Sequence, residues 1–429
     1  MRKYIFFLFS IIVLSSCPKA ITTPDDVNHF VYDLMHEYYF WYKKVPDMRE
    51  SEIKSYSDPA YLLEDLKYQT IDRWSYIEEV LQVKSTNSGA YYQGYGFIPF
   101  IYDDKKLKVA YVYKTSEAWQ KGLRRGDIIE VYNGYTIANL SSYDNITFYS
   151  DSDGDEISLV IKKSDGTKVD MTLTNTVVLQ DEILHYDVIT SNDKKIGYLA
   201  FDQFMDFNND SIQSVISYFK SEMVNELVLD FRYNGGGDMK VMDNLLNSLI
   251  PLSHKSDFAY KFKHNDKMVS EDSSVYFKAN DNNLNLTRLF VLTSENTASA
   301  SELLISALNP YMDVYTIGDV THGKPVGMYV FEYEKYEIAP ICFVTFNSVN
   351  FGEYYDGLTP TTYAKDDLTK QLGDEKELLF SKAINFINTG SWDTNIALSA
   401  KTTGSNVLWG NARVQNMKVK RDSELLFQY

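Results

Sequence analysis

Two apolar runs that end in turns of small residues constrain the fold of this chain more than any other feature. Glu226-Leu227-Val228-Leu229-Asp230-Phe231 leads into Arg232-Tyr233-Asn234-Gly235-Gly236-Gly237, and Arg288-Leu289-Phe290-Val291-Leu292-Thr293 leads towards Asn296-Thr297-Ala298-Ser299-Ala300-Ser301-Glu302. Continuous apolar runs of this length read as buried strands. Leu303-Leu304-Ile305-Ser306-Ala307-Leu308 continues at helical spacing until Pro310 stops it. Ser299 is therefore expected at a strand-to-helix turn. There a hydroxyl projects from the backbone, and the unpaired N–H groups of the first helical turn, starting near Ala300, can stabilise an oxyanion. The three glycines let backbone N–H groups approach a ligand unobstructed, so Gly235 or Gly236 is a second candidate donor. Neither the Gly-x-Gly-x-x-Gly spacing nor a Gly-Lys-Ser/Thr ending is present, which argues against nucleotide binding.

Clusters of Ser, Thr and Asn before an apolar helix are ordinarily N-caps, and alone this one implies no more. Lys324, in Gly323-Lys324-Pro325, follows Ser299 by 25 residues. A lysine serves as a general base only where an apolar, poorly hydrated setting lowers its pKa from about 10.4. The flanks Val314-Tyr315-Thr316-Ile317-Gly318 and Val326-Gly327-Met328-Tyr329-Val330-Phe331 agree with that requirement. His322, two residues before the lysine, leaves a serine–histidine pairing as an alternative.

The three elements in this order resemble the C-terminal processing peptidases, or tail-specific proteases. Their signatures are an Asp-x-Arg-x-Asn-x-Gly-Gly strand end, a Ser-Ala-Ser-Ala-Ser-Glu-like turn and a Gly-Lys turn. The resemblance implies Ser299 as nucleophile and Lys324 as base, with an oxyanion hole from Ala300 and from Gly235 or Gly236. Many members place a glutamine four residues after the lysine to orient it, whereas this chain has Met328. A thioether accepts a hydrogen bond only weakly and donates none, so either another group orients Lys324 or the chain belongs to a branch with a different arrangement.

Ser116-Glu117-Ala118-Trp119-Gln120-Lys121-Gly122-Leu123-Arg124-Arg125-Gly126-Asp127-Ile128-Ile129 and the hairpin turn at Asn133-Gly134 resemble the central signature of a PDZ domain. Ahead of it, Gly94-Tyr95-Gly96-Phe97 resembles the PDZ carboxylate-binding loop, which implies peptide capture by exposed amides and an adjoining strand edge.

Arg2-Lys3, an apolar run from Tyr4 to Leu14 too short to span a bilayer, and Leu14-Ser15-Ser16-Cys17 resemble a bacterial lipoprotein signal. Cys17 would then become the acylated first residue of a mature chain in the cell envelope. The other cysteine, Cys342, sits in a strand-like run, so no disulfide is expected. The 42 basic and 59 acidic residues give a net charge of −17, and removing residues 1–16 leaves 40 basic residues and −19. Such a surface repels phosphate backbones and anionic lipid, which argues against nucleic-acid binding and leaves membrane attachment to the lipid alone.

The length of 429 residues accommodates several domains. The expected class is α/β, or multidomain α+β. After the signal at 1–16, residues 17–85 form an anchor, a linker and a helical cap, with Asp58 as N-cap and Pro59 at the first position of its second helix. Residues 86–178 form the PDZ-like β-rich domain, in which Asp151 to Glu156 is an acidic hairpin turn that lacks the glycine of a calcium loop. Residues 179–390 alternate strands such as Ile196 to Phe201 with helices such as Ser211 to Met223. The resemblance implies a crotonase-like core of repeated strand–strand–helix units. Asp356-Gly357-Leu358-Thr359-Pro360 is its closing turn, and a last helix is expected from Leu368 to Asn388. Residues 391–429 are an extension with no assigned role.

The expected activity is that of a serine endopeptidase acting on peptides or unfolded proteins, with no cofactor or metal. The alternative is a non-catalytic peptide- or ligand-binding lipoprotein on the same fold.

Overall fold

The computed structural model describes residues 27–392, apart from 80–89, 103–105, 141–145, 147, 149–152 and 182. Cys17 and the signal-like segment lie outside the described residues, as does all of the C-terminal extension beyond 392.

A six-stranded sheet organises the chain, in the order His185–Ser191, Lys194–Ala200, Glu226–Asp230, Arg288–Thr293, Asp313–Gly318, Thr362–Tyr363. The first pair is antiparallel and the rest run parallel. The middle strands are apolar throughout because both faces are covered. Leu227, Leu229 and Val291 point to one side, where helices Asp206–Ser221, Met239–Leu249 and Ala300–Leu308 pack, while Val228, Phe290 and Leu292 point to the other, against helix Leu378–Thr389. Parallel strands send their C-terminal ends to one edge, and the turns after Asp230, Thr293 and Gly318 leave the sheet side by side there.

The β-rich module is an antiparallel sheet in the order Phe97–Ile101, Leu107–Val112, Ile128–Tyr132, Glu156–Lys162, Lys168–Thr174. Asn133 and Gly134 both take positive φ, 46° and 81°, as the two-residue hairpin turn predicted there requires. Ile98 and Phe100 of its first strand join the core on the Leu378–Thr389 side of the main sheet.

Three expectations need correction. Residues 27–79 are more than a cap: Val31, Leu34, Leu62 and Leu66 share one core with the main-sheet helices. Strand Tyr76–Glu79 also pairs with Tyr336–Ala339, which pairs in turn with Phe331–Tyr333. The last helix begins at Leu378, ten residues after Leu368, because Leu368 (φ 54°) and Gly373 (φ 81°) interrupt the periodic run and the Glu377 side chain caps the Phe380 N–H. The helix expected from Ser211 runs from Asp206 to Ser221.

Candidate active site

Strand Arg288–Thr293 and helix Ala300–Leu308 flank Ser299 as the apolar pattern predicts. Ser299 itself holds φ 57° and ψ −117°, a conformation rarely adopted by a residue with a side chain. Its N–H donates to Glu302 Oε2 at 2.8 Å, and its carbonyl accepts from Leu303 N–H. Ala300 opens the helix, so its N–H belongs to the first turn, where no intrahelical acceptor exists.

The glycine turn lies directly against this segment. Gly236 has φ 95°, and a Cβ placed on it would sit 2.8 Å from Ser299 Cβ and 3.0 Å from Ala300 N, so only glycine fits. Asn234 stitches the two turns together: its carbonyl accepts from Ala298 N–H, and its Oδ1 accepts from the Ser301 hydroxyl at 2.9 Å and from Gly236 N–H at 2.9 Å. The amide of Gly236 is thereby occupied. Gly235 is exposed and its N–H makes no such bond among the described residues.

Lys324 reaches the same place through its main chain. Glu302 is fully buried and its carboxylate accepts from Ser299 N–H, Lys324 N–H (2.8 Å), Gly323 N–H (2.7 Å) and the Thr321 hydroxyl (2.5 Å). One oxygen, Oε2, thus holds the amides of both Ser299 and Lys324, which lie within two hydrogen-bond lengths of each other. Burial still pushes the Glu302 pKa up, against the pull of these donors. Gly323 packs so closely on the Asp356-Gly357 turn that a Cβ would lie 2.3 Å from the Tyr355 carbonyl oxygen, and Leu358 N–H donates to Thr321 Oγ1. Met328 is half-buried and packs against the core.

Behind the glycine turn, Arg232 is completely buried among the carboxylates of Asp230, Asp366 and Glu377. Arg125, from the β-rich module, meets the same Asp366 at 2.5 Å and donates to the Tyr233 hydroxyl. Burial alone would raise the Asp366 pKa, but Arg125 and Arg232 hold it down at about 2. This network fixes the strand end from which Asn234 and the glycines leave.

His322 is engaged on both sides of its ring. Its Nε2 accepts from Trp74 Nε1 at 3.0 Å and the ring also donates to the Glu295 carbonyl, which occupies both nitrogens. Burial, with Arg73 and Lys324 nearby, pushes its pKa down to about 4, so the ring is neutral at ordinary pH. These bonds weigh against the serine–histidine pairing.

The loop Gly94, Tyr95, Gly96, Phe97 joins strands Tyr91–Gly94 and Phe97–Ile101. Tyr95 and Phe97 are buried in the core of the β-rich module, and Gly96 has φ 83°. The Gly96 N–H donates to the Tyr92 hydroxyl at 3.0 Å, while its carbonyl accepts from Tyr113 N–H. Tyr113 in turn donates to Asp202 at the end of a main-sheet strand.

Sequence reading missed the connecting part of Glu302, although a glutamate three residues after a serine N-cap is a recognisable capping-box spacing. Nothing local signalled Trp74 or Arg125.

Fold and site together define an α/β protein with a serine turn, a lysine turn and a glycine turn at one sheet edge. Residues 195–349 match the family model described as Peptidase family S41, and residues 26–76 match that of the Peptidase S41 N-terminal domain. Carboxyl-terminal-processing peptidase 2, chloroplastic, of Arabidopsis thaliana is 27% identical over 216 residues, 49% of this chain and 40% of that protein. Carboxy-terminal processing protease CtpA of Bacillus subtilis is 21% identical over 300 residues, 70% of this chain and 60% of that one. The chain thus spans less than two thirds of the length of either relative. A crystal structure from Bacteroides fragilis, assigned to the S41 proteases, superimposes with a TM-score of 0.71 at 25% identity, covering 86% of this chain and 98% of the other. The photosystem II D1 C-terminal processing protease, with a TM-score of 0.52 at 19% identity over 82% of this chain and 98% of its own, shares the fold. Two segments of the chain are thus similar to the models of peptidase family S41, and its mixed α/β fold matches the S41 protease structures.

Proposed function

We propose that the protein is a serine endopeptidase of the C-terminal processing type, acting on peptides or unfolded proteins. Ser299 Oγ attacks the scissile carbonyl carbon, and the neutral amine of Lys324 takes the hydroxyl proton. The tetrahedral oxyanion rests on the N–H groups of Ala300 and Gly235; Gly235 is preferred to Gly236 because Asn234 already holds the latter's amide. Collapse of the intermediate breaks the peptide bond as Lys324 returns the proton to the leaving amine. Water then hydrolyses the acyl-enzyme by the same exchange. The observation that carries this reading is the shared Glu302 Oε2, which ties the Ser299 amide to the Lys324 amide.

In the same proposal, residues 86–178 are a PDZ-like module that takes a substrate C-terminus at Gly94–Phe97, and residues 179–390 are a crotonase-like core. Cys17 is the lipid attachment that holds the enzyme in a bacterial cell envelope. The test compares hydrolysis of unfolded casein by the chain and by its Ser299→Ala and Lys324→Ala variants, matched for folding. Loss of turnover in both variants is expected; equal turnover in Ser299→Ala refutes the reading.

A further inference from the structure

The described N-terminal region reaches the lysine turn along one rigid path. Tyr39 is fully buried and its hydroxyl donates to Asp72 Oδ2 at 2.7 Å. Asp72 is itself buried, and its Oδ1 accepts from the amides of Trp74 and Ser75, both at 3.0 Å. This fixes the backbone of residues 72–75, and Ser75 Oγ accepts from Ile341 N–H at 2.9 Å, which anchors the segment to the core. Arg73 and Trp74 then project onto the turn before Lys324. Arg73 Nη2 donates to the carbonyls of His322 (2.8 Å) and Tyr355 (3.1 Å), the two segments between which Gly323 is packed. Its guanidinium lies 4.6 Å from the Trp74 ring centroid. Trp74 is buried and its indole N–H ends on His322 Nε2.

We infer that Trp74 and His322 form a positioning pair that holds the turn carrying Lys324, so that the N-terminal region works as part of the active-site frame. The inference rests on the proposed role of Lys324. The indole N–H needs an acceptor on His322, and the other ring nitrogen needs the Glu295 carbonyl. A glutamine at 322 offers both an acceptor and a donor; a leucine offers neither. Trp74→Phe removes the donor while keeping an aromatic ring.

The test uses the full-length protein, its Trp74→Phe, His322→Leu and His322→Gln variants, and Ser299→Ala as the inactive control. Two quantities are read: amide hydrogen exchange at Gly323 and Lys324, and steady-state hydrolysis of labelled casein. Trp74→Phe and His322→Leu are expected to speed exchange at those amides and to lower kcat by roughly tenfold with KM unchanged. His322→Gln is expected to recover most of both. Unchanged exchange and kcat in Trp74→Phe and His322→Leu overturn the inference, as does a rise in KM alone. If Ser299→Ala hydrolyses casein as fast as the parent, the peptidase reading fails, and hydrogen exchange alone decides whether the pair holds the turn.

Discussion

Glu302 and Lys324 are joined through the main chain: the buried carboxylate accepts the lysine's N–H at 2.8 Å with the same oxygen that accepts the N–H of Ser299. The two proposed reacting residues therefore share one acceptor, and a change there displaces both. Glu302→Gln keeps the size but replaces one acceptor oxygen with a donor, which then faces other donors. We expect kcat to fall by roughly 10²-fold with KM little changed, because small displacements of reacting groups cost on that scale. Steady-state kinetics on an unfolded protein substrate checks it.

Gly236 and Gly235 separate two demands on the glycine turn. Gly236→Ala forces a Cβ against Ser299 Cβ and Ala300 N at a positive φ, so it should cost roughly 1–3 kcal/mol and abolish turnover. A Cβ on Gly235 meets nothing within 4 Å, and alanine keeps the N–H assigned to the oxyanion. Gly235→Ala should retain stability and most activity. Urea unfolding and kcat on the two variants distinguish these outcomes.

Asp366 makes acid stability measurable. Its pKa is depressed to about 2 in the folded chain, below the ordinary carboxylate range, so the stability it contributes is present above roughly pH 4 and is lost as pH falls towards 2. Asp366→Asn should lower unfolding free energy by roughly 2–4 kcal/mol at pH 7, since it leaves Arg125 and Arg232 with a buried charge less fully matched. The gap between parent and variant should narrow between about pH 4 and pH 2. Denaturant titrations across that range give the answer, and a gap independent of pH contradicts the assignment.

The Tyr92 hydroxyl competes for the Gly96 amide that a peptide carboxylate would use. Tyr92→Phe should therefore tighten binding of a peptide with a free C-terminus by up to about fivefold, equivalent to about 1 kcal/mol, with little effect on an amidated peptide. Fluorescence anisotropy with the paired peptides measures it. Equal binding of the two peptides by the parent protein removes Gly94–Phe97 from the proposed substrate path.

What could be read from the sequence was local. Asp58 caps the helix Pro59–Leu66 by accepting Ala60 N–H, and the apolar run before Ser299 is the strand it resembles. Such features depend on neighbours a few residues away. The helix expected from Leu368 starts later, at Leu378, because the positive φ at Leu368 is set by its surroundings in the fold. The choice between Gly235 and Gly236 depended on where the Asn234 side chain points. The contacts of Trp74 with His322 and of Arg125 with Asp366 span 248 and 241 residues, and no pattern within either segment announces its partner.

Strand Tyr76–Glu79 finds its partner in Tyr336–Ala339, on the far side of every catalytic element proposed above. In a chain that emerges N-terminus first, that early strand waits unpaired until nearly all of the core has been made. The Trp74 contact spans 248 residues, so it cannot form before the lysine turn itself has been made. Bracing of the lysine turn by Trp74 is thus a contact of large sequence separation, which carries a high loop-closure cost. On the proposed peptidase reading, the brace on the lysine turn is therefore missing from any nascent chain that has not yet reached His322.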